Sequence, residues 1–132
     1  MKTILITGCS GEIGQFITKK LLEKKYRIIG LDKSKPFIKN KNFIFYKQDV
    51  TDENGLKKLF NEFKNKRQRI DILVNNAAVS VFTPFLKRKK KEATKTLNTN
   101  VYASIHLINL FVKNFDIMNL KIGKIINIGS IY

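Results

Sequence analysis

Acidic residues are scarce in this chain: 10 Asp and Glu stand against 26 Lys and Arg over 132 residues, a formal net charge of +16. Cysteine is scarcer still. Cys9 stands alone, which excludes an internal disulfide and any cysteine-rich metal cluster. The single histidine, His106, lies beside an apolar stripe with no partner evident, so it reads as structural or exposed. No run of eighteen apolar residues occurs, so no spanning helix is expected. The apolar stretch near Met1 is too short for a signal peptide, and no small-residue cleavage site follows it. These absences leave a cytoplasmic protein, without membrane or metal partners, as the expectation.

What is present points to a folded domain. Apolar residues make up 43% of the chain, enough to build a core despite the charge. The length suits one domain and no linker or repeat divides it. The charge invites a nucleic-acid reading, with Lys87-Arg88-Lys89-Lys90-Lys91 as its densest cluster, able to track phosphates or an anionic membrane surface. Only 4 of the 26 basic residues are Arg, whereas base-reading surfaces lean on Arg. Lys, Asn, Ile and Phe are abundant together, which reads as a bias of the whole chain and leaves the cluster as a solvated helix start or loop.

Short apolar runs alternate with helical stretches. Residues 2–7, 26–31, 43–47, 70–74 and 124–128 read as strands. Residues 12–25 read as a helix with Ile13, Ile17 and Leu21 on its buried face and Phe16 beside them. Thr51 reads as the N-cap of a second helix, whose stripe is Leu56, Leu59, Phe60 and Phe63. A long helix spans about 90–115, faced by Leu97, Val101, Ile105, Ile108, Val112 and Phe115. Strands alternating with helices imply parallel strands, right-handed crossovers and a sheet covered on both faces. This is a doubly wound α/β fold of Rossmann type, whose ligand binds at the carboxyl ends of the strands.

Two constellations carry chemistry there. Gly8-Cys9-Ser10-Gly11-Glu12-Ile13-Gly14 lies between the first strand and the first helix. Gly8 permits the turn, Gly11 lets a pyrophosphate approach the backbone, and Gly14 lets the helix pack on the sheet. The helix start then offers free N–H groups to the phosphates, with Cys9 contributing its backbone. Asp32 ends the second strand, 18 residues beyond Gly14, where a carboxylate accepts from a ribose 2′-hydroxyl and repels a 2′-phosphate. That favours NAD over NADP, although Lys33 and Lys35 soften the preference.

With these residues the chain resembles the short-chain dehydrogenase/reductases. Thr7-Gly8-x-x-Gly11-x-Ile13-Gly14 is similar to their cofactor loop, in a glycine spacing closer to the extended, nucleotide-sugar-modifying branch. Asp49-Val50 resembles the pair that contacts adenine. Asn75-Asn76-Ala77-Ala78 resembles an Asn-Asn-Ala-Gly segment of the shorter branch, with Ala78 replacing Gly. Asn100 resembles the active-site asparagine, and Lys124-Ile125-Ile126-Asn127-Ile128-Gly129-Ser130 the strand that delivers the catalytic serine, Ser130. The resemblance implies a five-stranded sheet in the order 3-2-1-4-5. It also implies an NAD(P)-dependent oxidoreductase moving hydride between nicotinamide and a carbonyl or alcohol, a sugar or sugar nucleotide being conceivable.

The family's Tyr-x-x-x-Lys pair is not found after Ser130; Tyr132 is too close to the serine and no lysine follows it. The chain is therefore expected to be an incomplete domain over residues 1–132 that does not turn over substrate alone, and that self-associates or takes a complementary second half. A non-catalytic dinucleotide-binding remnant or sensor is the alternative, and a basic nucleic-acid-binding protein a third reading.

Overall fold

The computed structural model describes residues 1–117, 119 and 123–130. Five strands, β1 (Thr3–Thr7), β2 (Arg27–Asp32), β3 (Phe43–Lys47), β4 (Ile72–Asn75) and β5 (Lys124–Asn127), form one sheet in the order β3-β2-β1-β4-β5. Every pairing is parallel. Helices α1 (Glu12–Glu23), α2 (Glu53–Asn65), α3 (Lys90–Leu97) and α4 (Ala103–Ile117) lie in the connections β1–β2, β3–β4 and β4–β5, while β2 runs to β3 without a helix. The doubly wound fold and the strand order expected from the sequence are both present.

The register explains the two-faced core. Leu5 lies beside Ile29 on one side and Leu73 on the other, and side chains alternate across a strand. Leu5, Ile29, Leu31 and Leu73 therefore face one layer, where Leu56, Leu59, Phe60 and Phe63 of α2 meet Ala103, Leu107 and Phe111 of α4. Ile4, Ile6, Ile28 and Val74 face the other, with Cys9 and Leu22 of α1. Phe63 anchors the first layer, meeting Tyr46 edge-on with ring centroids 5.4 Å apart. Each such fully buried side chain contributes about 1.5–3 kcal/mol. β5 is the last strand of the sheet, and its four residues are exposed.

Three local expectations need correction. The fully buried residues of α1 are Gly14, Thr18 and Leu22; Ile17 and Leu21 pack half-buried against the same core, while Ile13 and Phe16 are exposed. Gly14, lacking a Cβ, lies directly against the Gly8 carbonyl of the turn, which favours this rotation of the helix. The cap of α2 is Asp52, whose carboxylate accepts from Gly55 N at 2.9 Å. Thr51 instead donates twice to Asp49. The long helix is present but interrupted: Asn98–Tyr102 forms a π-helical segment between α3 and α4. Leu97, Val101, Ile105 and Val112 are exposed, Ile108 and Phe115 pack half-buried against the core, and the buried stripe is Ala103, Leu107 and Phe111. Both stripes are apolar, so periodicity alone does not select between them.

Candidate functional site

The carboxyl ends of β1, β2 and β4 converge on the glycine turn. Gly8 has φ +67°, and a Cβ there would lie 2.8 Å from Ala77 Cα. A Cβ on Gly14 would run into the Gly8 carbonyl and come within 2.9 Å of Asn76 Nδ2. Both glycines are thus required by the packing of turn, helix and sheet. Gly11 differs: a Cβ there would meet only Gly8 O, at 3.6 Å. It is exposed, and it is the N-cap residue of α1. The N–H groups of Glu12, Ile13 and Gly14 form the first turn of α1, where a helix supplies no carbonyl partner. Open backbone and unpaired donors at the positive end of a helix make an anion seat.

A polar latch fixes this seat. Thr7 Oγ1 accepts from Asn76 N and Ala77 N, both at 3.0 Å. Asn76 Nδ2 donates to Thr7 O at 3.0 Å and Gly8 O at 3.1 Å. Asn75 Nδ2 donates to Asn127 Oδ1 at 2.9 Å, tying β4 to β5. The two asparagines thus join neighbouring strands, as their place at a strand end suggests. Thr7 opens the glycine motif in the sequence, and its hydroxyl immediately before Gly8 is the signal there; its part as the latch comes from the fold. Ala78 is exposed beyond this latch.

Asp32 flanks the turn from β2. Its carboxylate accepts from Ser10 N at 3.0 Å and Ser34 N at 3.2 Å. The Ser10 hydroxyl donates to Ser34 O, and Ser10 O accepts from Gln15 Nε2 at 2.8 Å. Cys9 contributes no side chain to the crevice: it is buried in the core, and its N–H is directed at Leu31 O. Burial, helped by the charge on Asp32, pushes its thiol up to about 12.

Towards β3 a cavity of about 580 Å³ is lined by Lys33, Asp49, Thr51, Thr94, Lys95 and Thr99, among others. Partial burial raises the Asp49 carboxyl, but the two hydrogen bonds from Thr51 and the charges of Lys33 and Lys95 outweigh it, and the net shift is downward. Val50 is buried in the first core layer, which leaves its backbone for any ligand.

Asn100 stands in the π-helical segment, a feature frequent at functional sites. Its Oδ1 accepts from Val79 N at 2.8 Å and its Nδ2 donates to Val79 O at 2.9 Å. Its side chain therefore holds the segment that follows β4. Ser130 lies three residues beyond β5, exposed past the carboxyl edge of the sheet. Tyr132 lies outside the described residues. Among the described residues no group of three or more His, Cys, Asp or Glu is placed to hold a metal, and no helix is long and apolar enough to cross a membrane.

The residues present fit a dinucleotide. The space above Gly11 at the start of α1 is open to an anion, and the Asp32 and Asp49 carboxylates beside it offer hydrogen-bond acceptors.

The family model of the short chain dehydrogenases matches residues 2–132. A diacetyl reductase, (S)-acetoin forming, from Staphylococcus epidermidis is 30% identical over 98% of this chain and 54% of its own length. A short chain dehydrogenase from Leptospira borgpetersenii, solved with bound NAD+, superposes with a TM-score of 0.95 at 33% identity, over 99% of this chain and 52% of its own. ElxO with NADP bound gives a TM-score of 0.83 at 30% identity, over 98% and 56%. The chain thus spans about half the length of the relatives it matches.

Proposed function

Because the chain belongs to the short chain dehydrogenase family, we propose that it holds the nicotinamide dinucleotide of an NAD(P)-dependent oxidoreductase acting on a carbonyl or alcohol. The observation that carries this reading is the open backbone at Gly11 over the first turn of α1, with the Asp32 carboxylate beside it.

The N–H groups of Glu12, Ile13 and Gly14 bind the pyrophosphate through charge-assisted hydrogen bonds. Asp32 accepts from the adenosine ribose with the lone pairs that Ser10 and Ser34 leave free. That keeps NAD the favoured form, with Lys33 placed to tolerate NADP. Asp49, held ionised by Thr51 and its lysine neighbours, accepts from the adenine amino group. When bound, the nicotinamide ring exchanges a hydride with the substrate carbon.

On the substrate side the Ser130 hydroxyl donates to the reacting oxygen and stabilises its developing charge. Asn100 is a positioning residue in this scheme: with both ends of its amide on Val79, it shapes the wall of the crevice and supports a proton relay. The named relative acts on diacetyl, a small dicarbonyl, which supports a simple carbonyl substrate; the glycine spacing keeps a sugar or sugar nucleotide as the other candidate.

No tyrosine in these 132 residues is followed four positions later by lysine. The Tyr-x-x-x-Lys pair of the family's chemistry is thus not among these residues, and we expect the 132 residues by themselves to bind dinucleotide without turning it over. Calorimetric titration with NADH, NADPH and ADP-ribose, followed by an absorbance assay with diacetyl, tests this. Dinucleotide binding with no oxidation of NADH is the expected result. Failure to bind any of the three overturns the reading, and turnover by the isolated chain overturns its second half.

A further inference from the structure

Phe82, Phe85 and Leu86 are 94%, 87% and 97% exposed. They stand within five residues of one another, directly before Lys87-Arg88-Lys89-Lys90-Lys91. The dinucleotide reading uses none of these apolar side chains. We infer that this segment, Phe82 to Lys91, is a docking surface for an anionic lipid bilayer.

The segment is closed on itself by its own hydrogen bonds. Phe85–Lys87 is a single 3₁₀ turn after Pro84, closed by Lys87 N to Pro84 O at 2.8 Å and Arg88 N to Phe85 O at 3.2 Å. Arg88 Nη2 folds back to donate to Val81 O at 2.8 Å and Thr83 O at 3.2 Å. Glu92 accepts from the Thr83 hydroxyl and from Lys89 N, which joins the loop to the start of α3. The backbone polar groups of the turn are thus engaged within the segment while three large apolar side chains close in sequence face solvent. Exposed apolar side chains grouped in this way mark an interaction surface.

Charge complementarity selects the partner. From Phe82 to Lys95 there are six cations and one carboxylate, Glu92, and that carboxylate is already engaged with Thr83 and Lys89. Apolar side chains that enter the acyl boundary beside cations that meet anionic headgroups are the combination a bilayer surface takes up. The cations are mostly Lys, which serves a lipid surface as well as Arg does, whereas base readout leans on Arg.

The full 132-residue chain, sedimented with phosphatidylcholine vesicles with and without phosphatidylserine, tests the inference. Binding is expected to the phosphatidylserine vesicles and to be released by salt. Phe82→Ser/Phe85→Ser/Leu86→Ser is expected to abolish it while leaving the thermal melt and NADH binding unchanged, since these side chains are outside the core and the crevice. Lys87→Gln/Lys89→Gln weakens it by about thirtyfold, at about 1 kcal/mol per cation. Lys19→Gln/Lys24→Gln, on α1 and at its C-cap, on the helix layer opposite that of α2 and α4, removes the same charge with little effect. Equal loss from the two lysine pairs would reduce the effect to net charge and overturn the inference. So would vesicle binding by the triple variant. A dimer that the triple variant dissolves, or retention on single-stranded oligonucleotide in place of vesicles, would assign the patch to another partner and equally overturn it.

Discussion

Replacing Gly11 with Ala, and separately Gly8 with Ala, separates the two duties of the glycine turn. At Gly8 the new methyl meets φ +67° and a backbone atom at 2.8 Å. The left-handed conformation costs about 1–2 kcal/mol and the overpacking about 1–3 more, so Gly8→Ala loses about 2–5 kcal/mol of stability. At Gly11 the φ is −71° and the nearest atom to a Cβ is 3.6 Å away. Alanine fits there without strain. The reduced freedom of the unfolded chain adds about 0.4–1 kcal/mol, which the loss of a good N-cap residue offsets, so stability stays within about 1 kcal/mol. The methyl nevertheless fills the space through which a pyrophosphate reaches the first turn of α1. Displacing the phosphate from one charge-assisted N–H bond costs about 1.5–3 kcal/mol, a loss of roughly ten- to 150-fold in NADH affinity. Urea unfolding and calorimetric titration of the two variants read these quantities side by side. Gly11→Ala with undiminished NADH affinity would refute the placement of the pyrophosphate, whatever the Gly8 variant does.

The other predictions concern the latch and the thiol. Thr7→Val keeps the shape of the side chain but leaves Asn76 N and Ala77 N without their acceptor; at about 1–3 kcal/mol for each orphaned donor, a loss of roughly 2–6 kcal/mol is expected in urea unfolding, and Thr7→Ser should restore most of it. Cys9 is protonated in the fold up to about pH 12 but ionises near its ordinary value of 9.0 once unfolded. The unfolded state therefore binds fewer protons between these values, and the thiol's contribution to stability falls as pH rises through that window and is flat below it. Relative to Cys9→Ala, the wild type should lose on the order of 1 kcal/mol per pH unit above about pH 9. A pH-independent difference between the two proteins would show that burial does not hold the thiol neutral.

Much of this was legible in the chain itself. The aliphatic runs around Leu5, Ile29 and Leu73 read as buried parallel strands because both faces of such a sheet are covered, and the strand ends came out within about two residues. The glycine turn and Asp32 were found from spacing and fall where the spacing implied. The rotation of α1 was not legible, because Ile13, Ile17 and Leu21 make as regular a stripe as the buried Gly14, Thr18 and Leu22. A glycine scores as apolar nowhere, yet its missing Cβ sets the contact. The Asp52 cap was hidden behind Thr51, an equally good capping residue, whose hydroxyl had a nearer acceptor in Asp49.

The sequence alone determined the order of strands and helices, the parallel sheet and the turn at its edge, since these follow from local periodicity and from backbone conformations only glycine adopts readily. Tertiary structure decided which polar groups were still free to meet a ligand. It spent Asn100 on Val79, turned Cys9 and Val50 into the core, and made Thr7 the latch between β1 and the Asn76–Ala77 turn. It also left Phe82, Phe85 and Leu86 outside. Hydrogen bonds between residues some seventy positions apart, and the choice between two apolar stripes, depend on what packs opposite, and no local pattern carries that information.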